Sequence, residues 1–263
     1  MQLNALEVNS INVSFGKFKA LDKMDIKIQE GCIFGLTGPN GAGKTTTINC
    51  IANLIDTDEG LIKIFGEVLK EESINIKRRI GILFENTDDL FIYLKGEEYL
   101  QFVGEIYGLD KKTIRERSDR LFDYFEMDTH RFMLINEYSK GMKKKIALAS
   151  ILLHNPDLII LDEPFDGLDA ITVVKLKSLL KLLKEKGKTI LITSHILSYI
   201  EDLTDEVAII NKGKVVFQAK TREIRTKVKN ALTNETYASL EEIFIDITKN
   251  DFEEKAVSLD WIG

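Results

Sequence analysis

Gly38-Pro-Asn-Gly-Ala-Gly-Lys-Thr45 sets three glycines, a lysine and a hydroxyl at the spacing G-x-x-x-x-G-K-[ST]. Glycine at 38, 41 and 43 lets the backbone take positive φ and turn its N–H groups inward. The helix expected from Thr45 adds its positive end, so loop and helix together form an anion nest. Lys44 is expected to place an ammonium on a β- and a γ-phosphate, and Thr45 to offer its hydroxyl to Mg²⁺.

A second constellation lies over a hundred residues later. Leu158-Ile-Ile-Leu-Asp-Glu-Pro164 is an apolar strand ending in two acids. Such a strand carries its last residues to the carboxyl edge of an open α/β sheet, where ligands bind. Asp162 is placed to hold Mg²⁺ beside Thr45. Strand alternation points Glu163 to the other side, where it can polarise a water for attack on the γ-phosphate. Another apolar run, Ile190-Leu-Ile-Thr-Ser-His195, brings His195 to the same edge as a donor to that phosphate. His130 and His154 read as surface or internally satisfied residues.

These groups need a sheet to hold them. Residues 6–13, 24–28, 32–37 and 61–65 read as strands, and 45–54 as a helix. From about 96 to 153 the apolar spacing is helical, with Tyr99, Phe102, Val103 and Ile106 as one example. Strand and helix then alternate through 218, and Asn211-Lys-Gly-Lys214 reads as a hairpin. The fold class expected is α/β, with a mostly parallel sheet, an antiparallel N-terminal β part and an inserted α-helical subdomain. The boundaries expected are a domain at 1–218, with its core at 1–90 and 155–218 and the helical insert at about 91–154. A C-terminal extension, 219–263, contains one amphipathic stretch at 240–247.

Composition narrows the function further. With 36 basic and 42 acidic residues the net charge is −6, which argues against a chain-wide nucleic-acid footprint. Lys143-Lys-Lys145 and the lysines at 175, 177, 181 and 184 read as solvated helix faces. Two cysteines, Cys32 and Cys50, cannot form a disulfide framework and suit a reducing compartment. The first ten residues lack the blocks of a secretory leader, and no apolar run approaches the ~20 residues that cross a bilayer.

Together these motifs resemble the nucleotide-binding subunit of an ATP-binding-cassette (ABC) transporter, a P-loop NTPase family, over roughly residues 3–218. The Walker A motif is matched by Gly38, Pro39, Asn40, Gly41, Ala42, Gly43, Lys44, Thr45 and Thr46. The Walker B strand ends at Asp162, the catalytic glutamate is Glu163 and the switch histidine is His195. Phe15 matches the adenine-stacking aromatic, and Gly167-Leu-Asp169 the D-loop. The resemblance implies ATP and Mg²⁺ as ligands and a head-to-tail homodimer with two ATP molecules between its subunits. It implies a separate transmembrane permease as partner and a cytoplasmic position at the inner face of the membrane. It implies no nucleic acid.

Three positions depart from the family pattern. The signature, usually Leu-Ser-Gly-Gly-Gln, reads Tyr138-Ser-Lys-Gly-Met142; it keeps Ser139 and Gly141, the residues implied to reach the opposite γ-phosphate. This variant resembles subunits encoded apart from their permease, often drug or bacteriocin exporters. The Q-loop carries Glu85 in place of glutamine, a carboxylate able to approach Mg²⁺. Phe15 stands where many members carry tyrosine. A soluble ABC ATPase acting on ribosomes or DNA is the alternative, although one cassette without a coiled coil or zinc motif does not favour it.

Overall fold

A computed structural model describes residues 3–86, 91–230 and 235–249. In chain order the elements are β1 (Asn4–Phe15), β2 (Phe18–Gln29), β3 (Ile33–Thr37), α1 (Lys44–Ile51), β4 (Glu59–Ile64), β5 (Glu67–Val68), α2 (Ile74–Lys77) and β6 (Ile80–Leu83). Then follow α3 (Gly96–Ile106), α4 (Lys111–Tyr124), α5 (Lys140–Leu153), β7 (Leu158–Leu161), α6 (Ala170–Glu185), β8 (Thr189–Thr193) and α7 (Leu197–Leu203). The chain continues through β9 (Glu206–Asn211), β10 (Lys214–Lys220), α8 (Ile224–Lys227) and α9 (Leu240–Thr248). The extension expected at 219–263 falls partly outside the described residues.

The alternating strands of the first third form an antiparallel sheet in the order β2-β1-β4-β5. The second sheet runs β10-β9-β3-β8-β7-β6, parallel throughout except for the β9–β10 hairpin at its edge. Its central strands are nearly continuous apolar runs because both faces are covered. Phe34, Leu36, Leu158, Ile160 and Leu191 pack toward the antiparallel sheet and α1, in one core with Leu6, Val8 and Ile48. Ile33, Ile159, Leu161, Ile190 and Ile192 look the other way, onto Ile146, Leu148, Leu176 and Ile200 of the helical layer. Helix α5 packs on α3 and α4 and also on β6, so it joins the helical middle to the sheet. Leu240 and Ile243 of α9 are buried in that same second core, so the amphipathic stretch is a packed helix.

This strand order decides the geometry of the site. Strand β8 lies between β3, which enters the glycine loop, and β7, which ends at the two acids. All three are parallel, so residues 38–45, 162–163 and 194–195 leave the sheet at one edge.

Candidate active site

The glycine loop leaves β3 and winds into α1. A Cβ on Gly38 would stand 2.2 Å from the Ile210 carbonyl oxygen, so only glycine lets the loop cross β9 this closely. Gly43, with φ 111°, is the N-cap of α1 and provides no side-chain cap, and no acid occupies the first turn. The first N–H groups of the helix are therefore left to an external anion. Lys44 Nζ donates to the carbonyls of Gly38 at 2.7 Å and Pro39 at 3.2 Å, spanning the loop. Burial pushes the Lys44 pKa below the usual lysine value, and Glu163, Asp162 and Glu85 pull against that shift.

The acids are arranged differently from the strand expectation. Strand β7 stops at Leu161, so alternation does not aim them. Glu163 instead takes the left-handed backbone, φ 46°, and that turn swings its carboxylate away from Asp162. Asp162 Oδ2 accepts from Thr45 Oγ1 at 3.2 Å, and Oδ1 accepts from Thr193 Oγ1 at 2.5 Å. Glu163 Oε2 meets both the backbone N–H of His195, at 3.2 Å, and its Nδ1, at 2.9 Å. The Glu163 side chain is 10% exposed and that of His195 61%, so a buried carboxylate faces a ring open to the cleft.

Phe15, Asn40, Gly41, Gly43, Lys44, Thr45, Thr46, Glu85, Asp162, Glu163 and His195 line one cleft of about 630 Å³. Gly38, Pro39 and Ala42 form the back of the loop, where Ala42 is buried and its N–H donates to the Pro39 carbonyl at 3.1 Å. Thr45 and Asp162 together offer two hard oxygen donors beside the anion nest. That set fits Mg²⁺, which keeps water and phosphate oxygens for its remaining positions. Among the described residues no group of three or more His, Cys, Asp or Glu could hold a metal by itself. Glu85 is exposed at the rim.

Three expected residues are not in this cleft. Ser139 caps α5, its Oγ accepting from Met142 N–H at 3.3 Å. Gly141 approaches the Gly167 carbonyl so closely that a Cβ would lie 3.2 Å from it. Asp169 caps α6, accepting from Thr172 N–H at 2.9 Å and Thr172 Oγ1 at 2.7 Å; these bonds hold its carboxyl below the usual carboxylate range. Lys140, in the position of a signature glycine, pairs with Asp166 at 2.7 Å. Ser139, Gly141 and Asp169 thus lie outside the cleft, beside the Lys140–Asp166 pair.

The sequence reading missed three side chains. Phe18 lines the cleft and pairs across the hairpin with Phe15, the two being 62% and 52% exposed. The signal was present, since Phe-Gly-Lys-Phe is a two-residue turn that must set the aromatics side by side. Thr193, fully buried, was a polar residue at the end of an apolar strand. Lys144 corrects the view of 143–145 as a solvated face: it is 1% exposed and donates from Nζ to the Glu85 carbonyl at 3.0 Å.

The ABC transporter family profile matches residues 21–166. The bacitracin transport ATP-binding protein BcrA of Bacillus licheniformis is 38% identical over 212 residues, spanning 80% of this chain and 68% of that protein. The ABC transporter ATP-binding protein NatA of Bacillus subtilis is 36% identical over 200 residues, 76% of this chain and 81% of its own length. A solved ATP-binding subunit of an ABC transporter superposes with a TM-score of 0.85 at 30% identity, covering 93% of this chain and 99% of that one. An ATP-binding cassette solved as a post-hydrolysis dimer with ADP and Pi gives 0.76 at 25% identity, covering 82% and 99%.

Proposed function

This chain belongs to the ABC transporter family of ATP-binding, ATP-hydrolysing subunits, and we propose that it drives export through a separate transmembrane permease. The observation that carries the ATP-hydrolysing part of this reading is the convergence of Lys44, the Thr45–Asp162 pair and the Glu163–His195 pair in one cleft. The loop N–H groups and Lys44 hold the β- and γ-phosphates of ATP. Thr45 and Asp162, with Glu85 at the rim, would hold Mg²⁺. Bound there, the ion would supply charge neutralisation at the phosphate oxygens.

Catalysis is then positioning and proton management. Glu163 Oε2 is held by His195, which leaves Oε1 to take the proton of the attacking water. His195 keeps the base oriented and reaches the γ-phosphate from the open side of the cleft. Phe15 and Phe18 stack on the adenine ring. Ser139, Gly141 and Asp169, unused by their own cleft, serve the ATP bound by a second copy in a head-to-tail dimer.

An apolar groove between β6 and α3 supports the permease. It measures about 420 Å³ and is lined by Ile82, Phe84, Phe91, Phe102, Ile106 and Tyr107 among others. Phe91 and Ile106 are more than half exposed there. A short apolar helix of the permease fits this groove, and it would hold the subunit at the inner face of the cell membrane. Among the described residues no helix is long and apolar enough to cross a membrane. Export as the direction rests on relatives such as the Nod factor export ATP-binding protein I of Cupriavidus metallidurans and a daunorubicin/doxorubicin resistance protein of Streptomyces peucetius.

A photo-crosslinker at Phe102, read by mass spectrometry after membrane solubilisation, tests the partner. The expected adduct is a polytopic membrane protein. A ribosomal or DNA-bound adduct would overturn the transporter reading.

A further inference from the structure

We infer that Thr193 is a positioning residue whose single hydroxyl fixes both acids of the cleft in their working orientation. This inference rests on the roles proposed above for Asp162 and Glu163.

Thr193 is the last residue of β8, the strand between β3 and β7, and no part of it reaches solvent. Its Oγ1 donates to Asp162 Oδ1 at 2.5 Å. The same oxygen accepts from the backbone N–H of Glu163 at 3.0 Å. A hydroxyl has one proton to give and lone pairs to receive, so this pairing uses both capacities in defined directions. Donation to Asp162 commits Oδ1 and leaves Oδ2, the oxygen shared with Thr45, for a cation. Acceptance from Glu163 N–H holds the residue whose backbone lies in the left-handed region at φ 46°. A non-glycine residue persists there only when its surroundings over-determine it. That turn separates the base from the metal-side acid and delivers Glu163 to His195.

Two consequences follow from one hydroxyl. Without it, Asp162 can rotate and present either oxygen to the cation, which weakens the Mg²⁺-dependent part of nucleotide binding. The Glu163 N–H, buried and without its acceptor, also destabilises the turn that aims the base. Binding of metal-free ATP draws on the loop N–H groups and Lys44 and is left unchanged. A role confined to filling the core would produce neither effect, because valine fills nearly the same volume and favours strands.

The test compares Thr193→Val and Thr193→Ser with the natural chain in three measurements. These are kcat for ATP hydrolysis, the Mg²⁺ concentration giving half of that rate, and calorimetric ATP affinity with and without Mg²⁺. Thr193→Val is expected to lower kcat ~10-fold or more and to raise the Mg²⁺ requirement severalfold. It should abolish most of the gain in affinity that Mg²⁺ confers and leave metal-free affinity within ~2-fold. Thr193→Ser, which keeps the hydroxyl, is expected to restore all of these to near natural values. If the valine variant does not fold, Thr193→Ala, which removes the hydroxyl without adding bulk, carries the same comparison. Natural kcat and Mg²⁺ dependence in a folded variant lacking the hydroxyl would overturn the inference, as would a folded serine variant no better than valine. Asp162→Asn and Glu163→Gln in the same assays separate this from the underlying reading. If those two are inactive while Thr193→Val is natural, only the positioning role fails. If they hydrolyse ATP normally, the assignment of the acids fails first.

Discussion

His195 grips Glu163 twice, its backbone N–H and its Nδ1 lying 3.2 and 2.9 Å from the same carboxylate oxygen, Oε2. The pair joins the end of β8 to the turn after β7, so the carboxylate is tied to the neighbouring strand and cannot swing freely. With Nδ1 directed at Glu163, the far ring nitrogen, Nε2, is the one that can face a γ-phosphate. Under the proposed function the histidine would orient the base as well as contact the phosphate.

Lys44→Ala should weaken ATP binding itself, by ~10-fold or more, because a hydrogen bond to a charged group contributes ~1.5–3 kcal/mol. The loss should be visible without turnover, in calorimetry. Equal affinity in the variant would mean that the loop N–H groups carry the phosphates alone.

Phe15→Ala and Phe18→Ala should each weaken ATP, since stacking on a base contributes ~1–3 kcal/mol. Stacking reads no base edge, so the natural chain should discriminate poorly between ATP and GTP. A strong preference for ATP would show that a hydrogen-bonding group reads the adenine.

Glu85 stands exposed at the cleft rim, with its carbonyl held by the buried Lys144 ammonium and its charge felt by Lys44. Its carboxylate adds negative charge near the phosphates, which a bound cation offsets. Glu85→Gln should therefore bind metal-free ATP better than the natural chain and depend less steeply on Mg²⁺. Superimposable titrations of the two proteins would leave Glu85 a neutral substitution.

His154 stacks on Tyr107 with centroids 3.7 Å apart, and its Nε2 lies 3.0 Å from the Ile80 carbonyl. Burial pushes its pKa down from 6.5 to about 4. Between those values the unfolded chain binds a proton that the folded chain refuses, so stability falls as pH drops through that window and is full above it. His154→Gln, which can still donate to Ile80, should show a flatter decline in denaturation midpoint from pH 6.5 to 4. Parallel declines would place the acid sensitivity elsewhere.

Local pattern carried the strands, the glycine loop and the two acid-bearing runs, because each is a short-range signal of period or spacing. The order of β3, β8 and β7 was not local, although the shared edge it creates was expected of parallel strands. The aim of Glu163 was misassigned to strand alternation, since a left-handed residue after a strand leaves no trace in hydropathy. Lys144 was read as solvated because a run of three lysines on a helix hides which one turns inward. The hydroxyl of Thr193 was invisible for a related reason: its two partners are about thirty residues away in sequence.

We propose Glu163 as the base of ATP hydrolysis in a subunit that dimerises around its nucleotide. Glu163→Gln keeps the shape and an acceptor oxygen but removes the base. Hydrolysis measured together with light scattering in the presence of ATP and Mg²⁺ is the most direct test. The expected result is retained ATP binding, a rate at least ~100-fold lower and an ATP-dependent dimer that persists. A purified variant that hydrolyses ATP at the natural rate would contradict it.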